Sequence, residues 1–274
     1  MAHEDIEAYL SAAESEAGIT ILGAWNTGSR AWGLNDPSSD HDISFVFTQP
    51  LKNYATGAGH INSVSLSAMN LSAATEDTEI PRDQIEGEGW DSRDFIQKLF
   101  ANNPSALEAL FSPMVYRPHP ALQAMREYVE ERFNPIEAHN HYQSMSNTLY
   151  EEHIINCKRT LKQTLMTARS CMYATYIKET HEFPELRFPT FIEEERSRFE
   201  ERWDIESIQT LIKRKQSGDG DARIWNPQQE AIEASLNDGI TDYEQHVRPK
   251  DKKMRRKDLA EMMCDLLESR TLPQ

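Results

Sequence analysis
Apolar positions recur at helical spacing from the start of the chain: Ile6, Tyr9, Leu10, Ala13 and Ala17 fall on one face of Glu4 to Ala17, and Gly18 stops the pattern. An amphipathic helix is predicted there. Ile19 to Trp25 is an apolar run of strand length, broken by Asn26-Thr27-Gly28-Ser29, and a second β-branched and aromatic run, Ile43 to Thr48, ends before Pro50. Residues 51–80 set Val64, Leu66 and Met69 among Ala- and Ser-rich stretches and are open to helix, strand or loop. A further strand is predicted from Ile80 to Glu88. Asp91 then stands where it can cap a helix carrying Phe95, Ile96, Leu99 and Phe100, which Asn103-Pro104 ends, and Ser105 with Glu108 has capping-box spacing for a short helix beyond it. After Pro118 the pattern turns helical, with segments at 120–133, 141–179, 191–216, 226–237 and 254–268. The expected class is α/β in the α+β sense: a mixed-sheet domain over residues 1–116, then a mostly helical domain over 117–274.

Charge narrows the partners. The 29 Lys and Arg against 45 Asp and Glu give a formal net charge of −16, which argues against a protein that neutralises a polyanion along its whole surface. The first 150 residues hold 21 of the acidic side chains and only 8 of the basic ones, so any nucleic acid is met by the second half. Cys157, Cys171 and Cys264 show no Cys-x-x-Cys spacing and suit neither a disulfide framework nor a cysteine zinc site. The start, Met1-Ala2-His3-Glu4-Asp5, is acidic where a targeting peptide is basic, and no apolar run approaches the ~20 residues of a membrane span. A cytoplasmic protein is expected.

The candidate chemistry lies between the first two strands, in Gly28-Ser29-Arg30-Ala31-Trp32-Gly33 and Ser39-Asp40-His41-Asp42. Side chains alternate along a strand, so Asp40 and Asp42 project from one face, and two carboxylates there repel unless a cation lies between them. Hard divalent ions such as Mg²⁺ or Mn²⁺ accept such an oxygen-rich site and keep open positions for phosphate oxygens. The Gly28-Ser29 turn permits close backbone approach, and its amides with the Ser29 hydroxyl suit a terminal phosphate. The same letters also describe a plain turn and cap before a strand.

Order and spacing favour the first reading: Gly-Ser followed at short interval by Asp-x-Asp resembles the DNA polymerase β-like nucleotidyltransferase superfamily. With Gly89-Trp90-Asp91, Asn103-Pro104-Ser105, Ser112-Pro113-Met114-Val115-Tyr116-Arg117 and His141-Tyr142-x-x-Met145, residues 19–190 resemble its RlaP-type branch, associated with RNA repair. The resemblance implies a metal-dependent enzyme that moves a nucleoside monophosphate from an NTP to a hydroxyl, favouring an RNA end, with release of pyrophosphate. It implies Asp40, Asp42 and Glu86 as the metal-holding catalytic carboxylates, and Gly28, Ser29, Arg30, Lys162 and Arg169 around the nucleotide. Ser44 and Asp94 depart from it, each standing where relatives commonly carry a positive charge. Transfer to a protein or small molecule, or a non-catalytic binding protein of the same fold, are the alternatives.

Elsewhere, His139-x-His141 lacks a third ligand at metal spacing, and Gly218-Asp219-Gly220-Asp221 lacks the pattern of a calcium loop. The densest basic run, Arg248 to Lys257, offers Lys252, Lys253, Arg255 and Arg256 as nucleic-acid contacts, or is simply a solvated surface; Lys158-Arg159 is a second basic patch.

Overall fold
The computed structural model describes residues 2–57, 59–71, 78–155, 160–223, 250 and 252–271. Five strands, β1 (Thr20–Asn26), β2 (His41–Thr48), β3 (Ser63–Ser65), β4 (Ile85–Asp91) and β5 (Val115–Arg117), form one sheet in the order β3-β4-β2-β1-β5. β2 runs parallel to β4 and all other neighbours are antiparallel, so the sheet is mixed. The helices are α1 (Ala2–Ala17), α2 (Leu51–Thr56), α3 (Ser92–Phe100), α4 (Pro104–Phe111), α5 (Pro120–Arg132), α6 (Pro135–Leu149), α7 (Leu161–Thr180), α8 (Phe188–Glu194), α9 (Arg196–Phe199), α10 (Ile205–Gln216) and α11 (Arg256–Thr271). The α+β class expected from the sequence is the one observed. Among the described residues no helix is long and apolar enough to cross a membrane.

The chain forms two compact units, one of Met1–Ala31, Ser39–Glu131 and Met254–Gln274, the other of Trp32–Ser38 and Arg132–Lys253. In the first, Ile6, Tyr9, Leu10 and Ala13 of α1 pack on Ile21, Ile43, Phe45 and Phe47, each burial of a large side chain contributing roughly 1.5–3 kcal/mol. Gly89 lies opposite Phe45 in the parallel ladder, and a Cβ there would occupy the space of the Phe45 ring. The other sheet face divides along its length. Toward one end Trp25 and Trp90 stack on Phe95 of α3, with ring centroids 5.9 and 6.0 Å apart. Toward the other end it carries carboxylates.

The second unit is helical, with the two long helices α6 and α7 side by side and an aromatic cluster in which Tyr173 meets Tyr142, Phe188 and Phe191 at centroid distances of 5.6, 6.1 and 4.9 Å. It also holds the loop Trp32–Ser38. The Phe188 N–H donates to the Trp32 carbonyl (2.9 Å), the Gln216 amide donates to the Gly33 carbonyl (2.9 Å), and Lys215 pairs with Asp36, both side chains buried.

Several boundaries differ from expectation. The segment 141–179 is two helices, α6 and α7, with a π-turn from Tyr150 to Ile155 between them. The helix α4 starts from Asn103, whose side chain accepts from the Ala106 N–H, because Pro104 fits the first turn; Ser105 and Glu108 are no capping box. Pro81 opens a 3₁₀ turn, Arg82–Gln84, so β4 begins at Ile85 rather than Ile80. α5 and α11, read as part of a helical domain beyond residue 116, group with the sheet. The helix expected at 226–237, and Lys158-Arg159, lie outside the described residues.

Candidate active site
β1 ends in Asn26, whose position is over-determined. Its carbonyl accepts from Ser112 Oγ (2.6 Å) and its side-chain amide donates to Tyr116 Oη (3.1 Å), so the Ser112 to Arg117 motif fixes the strand end that delivers Gly28-Ser29. Arg117 in turn is clamped by α1, donating to Glu7 (3.0 Å) and Glu14 (2.8 Å); burial works against its charge, but these two carboxylates raise its affinity for the proton. No role was evident for these residues in the sequence, although their motif was.

From Asn26 the chain turns across β2. The Thr27 N–H donates to the Asp42 carbonyl (2.8 Å), and Thr27 Oγ1 pairs with Ser44 Oγ (2.9 Å). Ser44 is thus buried and satisfied by a neutral partner. Gly28 follows, buried against the Asp42 carboxylate; a Cβ at Gly28 would take the space of that carboxylate. This is the physical reason for glycine: it lets a carboxylate lie on the backbone of the turn.

Arg30 donates from Nε to the Asp40 carbonyl (3.0 Å) and from Nη2 to the Ser39 carbonyl. These bonds tie Arg30, an expected phosphate contact, to the entry of β2. Asp40 is exposed, immediately before β2, and Asp42 is half-buried as its second residue. His41 between them points into the core, 7% exposed; burial, reinforced by the Arg30 charge, pushes its imidazole down to about 4, and it remains neutral near pH 7.

The third carboxylate is placed by the sheet. Asp42 is the direct partner of Glu86 in the parallel β2–β4 ladder, and Ser44 is the partner of Glu88. Residues in register on adjacent strands share a face, with backbones about 4.8 Å apart. Asp42, Glu86 and Glu88 therefore share one face toward the same end of the sheet, with Glu86 and Glu88 exposed. Among the described residues no three His, Cys, Asp or Glu side chains converge as a preformed metal cluster. The donors nonetheless suit a hard divalent cation: all are carboxylate oxygens, Asp42 and Glu86 face each other in register, and Gly28 leaves room for one of them.

Two expected nucleotide contacts lie in the second unit. Lys162 is exposed in the first turn of α7, whose N-cap Thr160 and Gln163 form a capping box. Arg169, 1% exposed, stacks with its guanidinium carbon 3.8 Å from the Trp32 ring centroid and 5.1 Å from that of Tyr173, which places it in the packing of the Trp32 loop. In the basic run Lys252, Lys253, Arg255 and Arg256 are all exposed; Arg255 is committed to Asp258 (2.8 Å). Asp94 pairs with Lys98 (3.7 Å) on the surface of α3.

Comparison with known proteins bears on this arrangement. The family RlaP, described as the RNA repair pathway DNA polymerase beta family, matches residues 2–265. YcgL of Bacillus subtilis (strain 168), named as an uncharacterized protein, is 24% identical over 216 residues, 77% of this chain and 76% of its own length. No solved structure matches the chain.

Proposed function
The chain belongs to the RNA repair pathway DNA polymerase beta family, and from that premise we propose that it is a nucleotidyltransferase which moves a nucleoside monophosphate from an NTP to a hydroxyl, with an RNA end as the favoured acceptor. The observation that carries the reading is the register of Asp42 with Glu86 beside the Gly28 turn. Asp40, Asp42 and Glu86 would hold Mg²⁺ or Mn²⁺, which supplies charge stabilisation of the phosphates and a more acidic acceptor hydroxyl.

The chain's own residues do the rest. The Gly28-Ser29 turn offers amides and a hydroxyl to the β- and γ-phosphates, and Arg30 keeps that turn and Asp40 in fixed relation. In the reaction the acceptor oxygen bonds to the α-phosphorus, the α–β bridging oxygen leaves with pyrophosphate, and the hydroxyl proton is released. Lys162, exposed in the first turn of α7, is proposed as a further phosphate contact. Arg169 acts there by packing the loop that joins Gly28-Ser29 to Asp40.

The test is incubation with each NTP labelled at the α or the γ position, Mg²⁺ or Mn²⁺, and RNA, DNA or no added acceptor. Label from the α position on RNA, and none from the γ position, is the expected result. Label on the protein itself, or on a small molecule alone, would move the acceptor to those classes; no transfer of any label would overturn the reading.

A further inference from the structure
At the opposite end of β4 from Glu86 the first unit carries a polar cleft open to solvent, of about 530 Å³, lined by Arg93, Arg256, His60, Asn62, Gln97 and Asp94 among others. It begins beside Asp91, five residues along β4 from Glu86, or about 16 Å at strand rise. It is therefore separate from the carboxylate site.

Its cations are arranged for an anion. Arg93 is preorganised: its Nε lies 3.3 Å from Asp91, its Nη2 donates to His60 Nε2 (2.8 Å), and its guanidinium carbon lies 4.4 Å from the Tyr54 ring centroid. Its Nη1 has no acceptor among the described residues. The two cleft carboxylates are already committed. Asp91 is buried and accepts from Tyr54 Oη (2.6 Å), Gln49 Nε2 (3.0 Å) and the Arg93 N–H (3.0 Å), while Asp94 pairs with Lys98.

Arg256 completes the set. It opens α11, is exposed, and makes no ion pair among the described residues, whereas its neighbours Arg255 and Lys257 are paired with Asp258 and Glu261. Two guanidinium groups with unused N–H donors, with Asn62 and Gln97 in the same lining, supply the kind of donors that phosphate oxygens accept from.

We infer that this cleft binds a phosphate group carried by a nucleotide, either within a single-stranded RNA or on a free mononucleotide, with Arg256 and Arg93 as its ligands. The inference deepens the RNA-acceptor reading, and it is tested without divalent metal, so that failure of transfer chemistry and failure of this site give different results.

Binding of a fluorescent single-stranded oligoribonucleotide is measured by anisotropy in EDTA across a salt series, with AMP as competitor and a thermal melt for each variant. Arg256→Gln should weaken binding and reduce the slope of log affinity against log salt by about 0.7, the value for one single-strand phosphate contact. Arg93→Lys, which keeps the charge but not the planar fork, should also weaken binding. Arg255→Gln should leave the slope unchanged. Should RNA fail to bind, AMP affinity measured by calorimetry must fall in Arg256→Gln, which would assign the site to mononucleotides. An unchanged slope and AMP affinity in Arg256→Gln, an equal loss in Arg255→Gln, or no binding of either ligand to the parent protein would overturn the assignment.

Discussion

Gly28 and Asp42 show how tightly single residues constrain the candidate site. Because a Cβ at Gly28 would fall on the Asp42 carboxylate, Gly28→Ala should displace that side chain and lower transfer by about 100-fold, the scale of a misplacement of roughly 1 Å. The change is read as turnover against a near-constant melting temperature, and turnover within a few-fold of the parent would contradict it. A second pair, Asp36 with Lys215, is buried within the helical unit, 7% and 6% exposed. The Lys215 ammonium, helped by Ser38, holds the Asp36 carboxyl well below the usual carboxylate range. A folded-state pKa below the ordinary 3.8 means that the pair contributes stability above about pH 4 and loses it as pH falls further. The melting temperature of the parent should therefore drop more steeply in acid than that of Asp36→Asn. Lys215→Met should cost about 3–5 kcal/mol at neutral pH by stranding the carboxylate, and adding Asp36→Asn should restore part of it. Parallel acid profiles for the parent and Asp36→Asn would show that the pair does not set this dependence.

Among the elements, β4 carries the sharpest test. If Glu86 rather than Glu88 acts with Asp42, Glu86→Gln should lower kcat more than it raises KM for the NTP, while Glu88→Gln should keep most activity, since its register partner is Ser44. A larger loss at Glu88 would contradict that division of roles. The elements with strict apolar periodicity, α1, β1 and β2, were legible in the sequence, and so was the helix cap at Asp91, whose carboxylate accepts from the Arg93 N–H. Less legible were features decided by competition or tertiary contact. Helical periodicity continues through Tyr150 to Ile155, so the π-turn leaves no mark in the pattern, and Pro104 overrode the Ser105–Glu108 spacing. Strand alternation suggested a shared face for Asp40 and Asp42, but β2 begins at His41, so alternation along the strand fixes the side of Asp42 and not that of Asp40. The role of Arg30 was not readable, because it acts on the backbone carbonyls of Ser39 and Asp40, and no sequence letter announces a carbonyl.

For the whole molecule, a net charge of −16 argues against a surface that neutralises a polyanion throughout, so the proposed activity would confine phosphate to a few positions. On the proposed reading the carboxylate end of the sheet would need a divalent cation to accept an NTP, whereas the Arg93–Arg256 cleft at the other end of β4 would need none. The proposal that the carboxylates act as one metal-nucleotide site is tested most directly by calorimetric titration of Mn²⁺ into the protein with a non-hydrolysable NTP analogue, comparing the parent with Asp42→Asn. The parent should bind Mn²⁺ together with the nucleotide, and Asp42→Asn should lose that binding while its metal-free melting temperature stays level or rises, because one of two repelling carboxylates has been removed. Retention of nucleotide-dependent Mn²⁺ binding in Asp42→Asn would contradict the account.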